Sequence, residues 1–187
     1  MPNTEKLLWN RIGLIVSIVE KKHLKISGRT AIMKLLYLLQ TIKNVPLKYD
    51  FSLYIYGPFD QDVLDDLDYA ETLGAVTSKV TYYPSGYGYE IGLGEKTGKI
   101  KEQAKGFLEE HKGSIDDIFD EFGEDSASDL ELISTVIYTD RLLAQRKNKA
   151  DMDKLVEMVT KIKPRFEKEY VRGKSRDLKE RGLLTFN

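Results

Sequence analysis

The side chains able to do chemistry are concentrated in a few places. Acids crowd Asp60, Asp62, Asp65, Asp66 and Asp68, and a second run extends from Asp116 to Glu131. Carboxylates at this density could hold a hard cation, which wants oxygen ligands at fixed loop spacing about a glycine turn. Neither run has that spacing. Helical periodicity over 60–68 turns most of the acids outward, so a solvated helix face accounts for them. The segment GLGEKTGK (Gly92–Lys99) has the look of a phosphate loop. Such a loop needs Gly, four residues, then Gly-Lys-Ser/Thr. Leu93 stands where the first glycine belongs and Ile100 where the hydroxyl belongs, so a strand-to-helix turn explains the glycines. The two imidazoles, His23 and His111, have no triad pattern around them, and the chain has no cysteine. Thiol nucleophiles, disulfides and zinc-thiolate sites are therefore excluded. No catalytic residue, metal ligand or cofactor is expected.

Aromatic side chains offer recognition instead. Tyr82, Tyr83, Tyr87 and Tyr89 share one short stretch, and Tyr54 and Tyr56 precede a Gly-Pro pair. Tyrosine presents a large contact area at low entropic cost, which suits a binding surface. Alternation along two strands would equally place half of these rings against a core.

The elements that position these residues follow from periodicity. Thr4–Lys22 is a helix with apolar residues on two sides, namely Leu8, Ile12, Ile15 and Val19, then Leu14 and Ile18. That pattern suits burial between neighbours, or a homodimer seam along the N-terminal helix. A loop over 23–28 leads to a second helix, Arg29–Ile42. Tyr54, Ile55 and Tyr56 suit a half-buried strand, which Gly57-Pro58 then turns. Asp60 is placed to cap a third helix, with Val63, Leu64, Leu67, Ala70 and Leu73 at helical spacing and Gly74 as a left-handed cap. Val76–Tyr83 and Tyr87–Leu93 flank Pro84-Ser85-Gly86 and predict a β-hairpin. Further helices are expected over 95–111, 129–143 and 150–162, with Lys163-Pro164 as a separator. The ends DLDYAETLGAV and DLKERGLL share one pattern of helix, glycine and apolar exit.

The net charge of −1 conceals three blocks. Residues 1–48 carry nine Lys/Arg and two acids, residues 49–140 six and twenty-one, and residues 141–187 fourteen and seven. Blocks of this kind orient surface fields, or face one another across the fold. The composition describes a soluble globular chain, the start lacks a signal-peptide layout, and no apolar run is long enough to span a bilayer. A cytoplasmic protein with no membrane partner is expected.

KLLYLLQ (Lys34–Gln40), YIYGPFDQDVLDDL (Tyr54–Leu67) and LGAV (Leu73–Val76) together resemble the SocA-like or Panacea antitoxin domain. LELISTVIY (Leu130–Tyr138), KIKPRF (Lys161–Phe166) and LKERGLL (Leu178–Leu184) are similar to the helical C-terminal half of YwgA-like bacterial proteins. The resemblance implies an α+β, mostly helical fold. Its form would be a winged helix-turn-helix-like core with a β-hairpin wing over 1–111, and a helical C-terminal subdomain over 112–187. It also implies no catalysis, and for the Panacea group neutralisation of a toxin by direct protein contact. The long N-terminal helix and the acidic insertion before Leu130 depart from that pattern.

A winged helix would ordinarily bring its third helix to DNA. Here that helix carries Asp62, Asp65, Asp66, Asp68 and Glu71 and no Lys or Arg, so it repels phosphate. The reading is therefore a non-enzymatic protein-interaction module, a Panacea-type antitoxin or regulatory adaptor. Its candidate partner-binding residues are Tyr56, Pro58, Phe59, Asp65, Asp66, Tyr83 and Tyr87. The alternative is a nucleic-acid-binding transcriptional regulator acting through basic flanks at Lys21, Lys22, Lys25 and Arg29. Duplex DNA titrated against salt separates the two. We expect no tight, sequence-specific binding that depends on the surface of the third helix.

Overall fold

The computed structural model describes residues 3–22, 25–83, 86–145 and 151–186. Nine α-helices and five short strands occur among them, so the fold is α+β and mostly helical. Helix α1 (Asn3–Lys21) leads through β1 (Lys25–Ser27) to α2 (Arg29–Ile42). A small hairpin of β2 (Ser52–Tyr54) and β3 (Gly57–Phe59) precedes α3 (Gln61–Thr72). The longer hairpin of β4 (Val76–Tyr83) and β5 (Gly86–Leu93) follows. Strand β1 pairs antiparallel with β5, giving the sheet order β1-β5-β4.

The centre of the core is α2. Ala31 to Leu39 are all buried, because α1, α6 (Lys112–Phe122) and α7 (Ala127–Gln145) pack around the helix. Helix α1 is buried on both of its apolar sides, with Ile12, Leu14, Ile15, Ile18 and Val19 fully enclosed. The apolar width that suggested a homodimer seam is thus covered within the chain, by α2, α3, β5, α4 (Thr97–Gln103) and α5 (Lys105–Glu110). The single helix expected over 95–111 is broken at Ala104. The break turns Ile100 and Phe107 inward and lets the segment wrap α1 before α6 reaches α2. Helices α8 (Met152–Ile162) and α9 (Lys168–Glu180) pack on α7. One hydrophobic cluster draws on every part of the chain from Ile12 to Leu178.

Local signals hold at the caps. Asp60 caps α3 by accepting the Asp62 backbone N–H at 2.9 Å. Gly74, at φ 73°, closes the helix with the paired bonds Gly74 N–H to Glu71 O and Ala75 N–H to Ala70 O. Gly182 N–H to Lys179 O and Leu183 N–H to Leu178 O repeat that closure at the end of α9. The two endings, DLDYAETLG and DLKERG, therefore share a cap.

The Gly-Pro pair behaves differently from its reading as a corner. The chain reverses at Ile55-Tyr56, and Gly57-Pro58 begins the return strand, with Gly57 opposite Tyr54 and Pro58 opposite Leu53. Tyr54, Ile55 and Tyr56 are consequently exposed rather than half-buried. Each strand of this two-stranded sheet is an edge, so a proline without an N–H is tolerated there. The loop expected over 23–28 contains β1, which forms because β5 offers it an open edge.

Gly57 sits at φ 86° with its Cα pressed on α7. An added Cβ would stand 2.8 Å from Thr135 Oγ1 and 3.4 Å from Glu131 O. Both the backbone conformation and the space exclude a branched residue. Gly57→Val should lower stability by about 1–3 kcal/mol. An unchanged thermal midpoint would remove the claim.

Candidate functional site

The small hairpin is held down by buried charge. Lys34, on α2, is 1% exposed and donates from Nζ to the Pro58 carbonyl at 2.6 Å. Glu131, on α7, is buried and accepts from Lys163 Nζ at 2.7 Å and from Arg165 Nη2 at 2.9 Å. Lys163 also donates to the Ile55 carbonyl. Two lysines thus bind the hairpin through main-chain oxygens, Lys34 at Pro58 in the return strand and Lys163 at Ile55 in the turn. Burial lowers the Lys34 pKa to about 8, Glu131 raises it in part, and Lys163 lowers it further. A buried ammonium forgoes hydration, so the charged form is disfavoured.

Above Lys34 lies a cavity of about 170 Å³. Met33, Tyr54, Tyr56, Phe59 and Leu64 give it apolar walls, and Arg29 and Lys34 line it as well. The rings of Tyr54 and Phe59 stand 5.5 Å apart. Arg29 donates from Nη2 to Asp68 at 2.8 Å and places its guanidinium 4.4 Å over the Tyr89 ring. Its Nε is buried with no hydrogen-bond partner among the described residues.

From Tyr89 the aromatic surface continues outward. Register pairs Val76 with Leu93, Ser78 with Ile91, Val80 with Tyr89 and Tyr82 with Tyr87. Alternation places all eight on one face of the hairpin. At its base Val76 and Ile91 are buried in the core. Towards the tip the same face leaves the body of the protein, and Val80, Tyr82 and Tyr87 become exposed, Tyr82 by 83% and Tyr87 by 68%. The Tyr87 and Tyr89 rings meet edge to face at 6.2 Å. An aromatic strip therefore runs from Tyr82 and Tyr87 through Tyr89 and Arg29 to Tyr54 and Tyr56.

The expected partner-binding residues divide accordingly. Tyr56 and Phe59 line the cavity, Tyr87 lies on the strip, and Asp65 is exposed on α3. Pro58 is buried in β3 and offers its carbonyl to Lys34 rather than a surface. Asp66 is buried as well. It accepts from the Tyr49 hydroxyl at 2.8 Å and pairs with Arg11 at 3.5 Å, while Arg11 donates to the Leu47 and Lys48 carbonyls. Burial raises the Asp66 pKa against the opposing pull of Tyr49 and Arg11. Asp66 lies three residues after Val63 and four before Ala70, on the inward stripe, which was a signal against its solvation. The Tyr83 side chain is outside the described residues, and Tyr82 is the tyrosine paired with Tyr87.

Each described cation of the basic flank is engaged within the fold. Lys21 pairs with Asp116, Lys22 donates to the Gly123 carbonyl, and Arg29 is held by Asp68. The Lys25 side chain lies outside the described residues, as does His23. Lys34, Glu131, Lys163 and Arg29 were missed as a set, although Lys34 and Glu131 each interrupt an apolar run, MKLLYLL and LELI.

No family model and no curated protein sequence matches the chain.

A lysine with a lowered folded pKa destabilises the fold while it is protonated. That cost is full below about pH 8 and disappears as pH rises toward the ordinary value of 10.5. Buried Tyr37 and Tyr49, whose pKa values burial raises, begin to oppose folding near 10.0. Between these limits the wild type should gain about 2 kcal/mol relative to Lys34→Met. Urea unfolding of both proteins across this range measures it, and parallel pH profiles would refute it.

Proposed function

We propose that the chain is a non-enzymatic protein-interaction module whose aromatic strip docks a basic protein partner. The observation that carries this reading is the inner face of the long hairpin, which stays aromatic after it has left the core. Large exposed rings that cover nothing in their own chain are what binding surfaces are made of. Asp68 on α3 joins the strip through Arg29, and exposed Asp62 and Asp65 on the same helix would add to the steering of a cationic partner.

The order α1, β1, α2, α3, β4, β5, with β1 paired to β5, supports a winged-helix reading in which the long hairpin is the wing. The small hairpin would then be an insertion between the second and third helices. The Panacea resemblance supplies the class of partner, a toxin neutralised by contact. The nucleic-acid reading gains nothing from Lys21, Lys22 and Arg29, whose charges are engaged within the fold.

A partner captured from the host serves for kinetics on folded variants. Tyr82→Ala and Tyr87→Ala should each speed dissociation by about tenfold or more and leave association nearly unchanged. Asp65→Asn should slow association, and that difference should fade as salt shortens the screening length to about 8 Å near 0.15 M. If both tyrosine variants bind as wild type does, the strip is not the interface.

A further inference from the structure

A larger cavity, of about 510 Å³, lies among elements that the partner reading does not use. Its walls are the first turns of α1, the loop between α2 and β2, and the α4–α5 segment. None of the tyrosines of the aromatic strip lines it. Lys6, Asn10, Lys48 and Gln103 do line it, and Lys6, Lys48 and Gln103 are exposed residues. None of these four side chains has a hydrogen bond or an ion pair among the described residues. Lys6 and Asn10, four residues apart on α1, share one face of that helix. Glu110 is the acid on the wall, so two ammonium groups face one carboxylate. Leu7, Pro46 and the Phe107 ring give apolar contact, and Phe107 meets the His111 imidazole near edge-on at 4.6 Å.

Two features of the backbone shape this cavity. Lys48 has φ 57°, in the left-handed region that residues with a side chain rarely occupy. Buried Arg11 holds it there, donating from Nε to the Leu47 carbonyl at 2.7 Å and from Nη2 to the Lys48 carbonyl at 2.8 Å. Such conformations persist only where their surroundings over-determine them, and they cluster at ligand sites. On α5, Gly106 keeps the wall open, since a Cβ added there would meet nothing within 4 Å.

We propose that this cavity binds a nucleoside monophosphate. Lys6 and Lys48 meet the phosphate, which carries close to two negative charges near neutral pH. The amides of Asn10 and Gln103 each offer donors and an acceptor to a base edge. Glu110 accepts from sugar hydroxyls, and the sugar and base rest on Leu7, Pro46 and Phe107. The cavity's volume is within the range of small-molecule sites. A simple carboxylate would leave the amides unused, and an apolar ligand would strip water from two ammonium groups without replacing it. The site stands independently of the partner proposed for the strip, because its ligand touches neither Tyr82 nor Tyr87.

The probes are the four common nucleoside 5′-monophosphates, the matching nucleosides and inorganic phosphate, at up to about 10 mM, where small ligands still register. The readout is the ring resonances of His111 in the full-length protein. The methyl resonances of Met33, Met152 and Met158, which do not line the cavity, are the controls. At least one nucleotide should shift His111 and leave the methionines unmoved. Its nucleoside and inorganic phosphate should each bind at least about tenfold more weakly. Lys48→Gly removes an ammonium while relieving the positive φ, and Gly106→Leu fills the cavity with a better helix former. Both should keep the thermal midpoint of the wild type or raise it, yet weaken binding by about tenfold or more. Lys6→Gln, at an exposed position, should weaken binding likewise. The end of a nucleic-acid strand presents the same groups as a free nucleotide, and a 5′-phosphorylated trinucleotide distinguishes the sources. If it binds more tightly than the mononucleotide, a strand end is the ligand; if more weakly, the free nucleotide is. The proposal is overturned if no nucleotide shifts His111, or if nucleoside or phosphate alone binds as tightly as the nucleotide. Unchanged affinity in any of the three variants that folds overturns it as well.

Discussion

The rest of the architecture depends on how the β2–β3 hairpin is fastened between α2 and α7. Lys34 holds it at Pro58, and Lys163, itself paired with Glu131, holds it at Ile55. Each contact uses a charged donor and a main-chain oxygen, so the hairpin is held by its backbone, and the side chains of Tyr54, Ile55 and Tyr56 remain available to solvent. Gly57 makes this possible, because only a residue without Cβ lets the strand approach α7 so closely. Buried ion pairs contribute little net stability against a well-packed apolar substitute, but breaking one leaves a charge stranded at a cost of about 3–5 kcal/mol. The cluster is better understood as a device that fixes the hairpin's position than as a source of stability.

The charge blocks of the sequence resolve into contacts of the same kind at larger scale. The acidic stretch that begins at Asp116 meets basic residues from both ends of the chain. Lys21 reaches Asp116, Lys43 reaches Asp117, Arg181 reaches Glu121, Lys174 reaches Asp125 and Asp129, and Lys163 and Arg165 reach Glu131. Most of these pairs are partly exposed and individually weak. Their arrangement nevertheless penalises other packings of α6 and α9, since a shifted register would set like charges together. The acids of α3 differ, because Asp62, Asp65 and Asp68 stay at the surface while Asp66 turns in to Arg11 and Tyr49.

The positions of α1, α2, α3, α7 and α8, the caps at Asp60 and Gly74 and the presence of the long hairpin were legible because each depends on interactions within a few residues, whereas the break at Ala104 and helices α6 and α9 were not. Asp60 needs only the Asp62 N–H and Gly74 only the last turn of α3. The register of the hairpin differs from the reading, because Gly86 belongs to β5 opposite Tyr83 and not to the turn, which sets Tyr82 rather than Tyr83 opposite Tyr87. The mutual neutralisation of the charge blocks was legible as one of two options, without its partners. What only the tertiary structure decided was which surfaces other elements cover. Periodicity places Val80, Tyr82, Tyr87 and Ile91 on one face, but it does not fix how far that face extends beyond the helices beneath it. Likewise the sequence records a lysine within MKLLYLL, while its enclosure depends on α6, α7 and a hairpin distant in the chain. Burial is a property of neighbours, and neighbours far apart in sequence are set by packing of the whole chain.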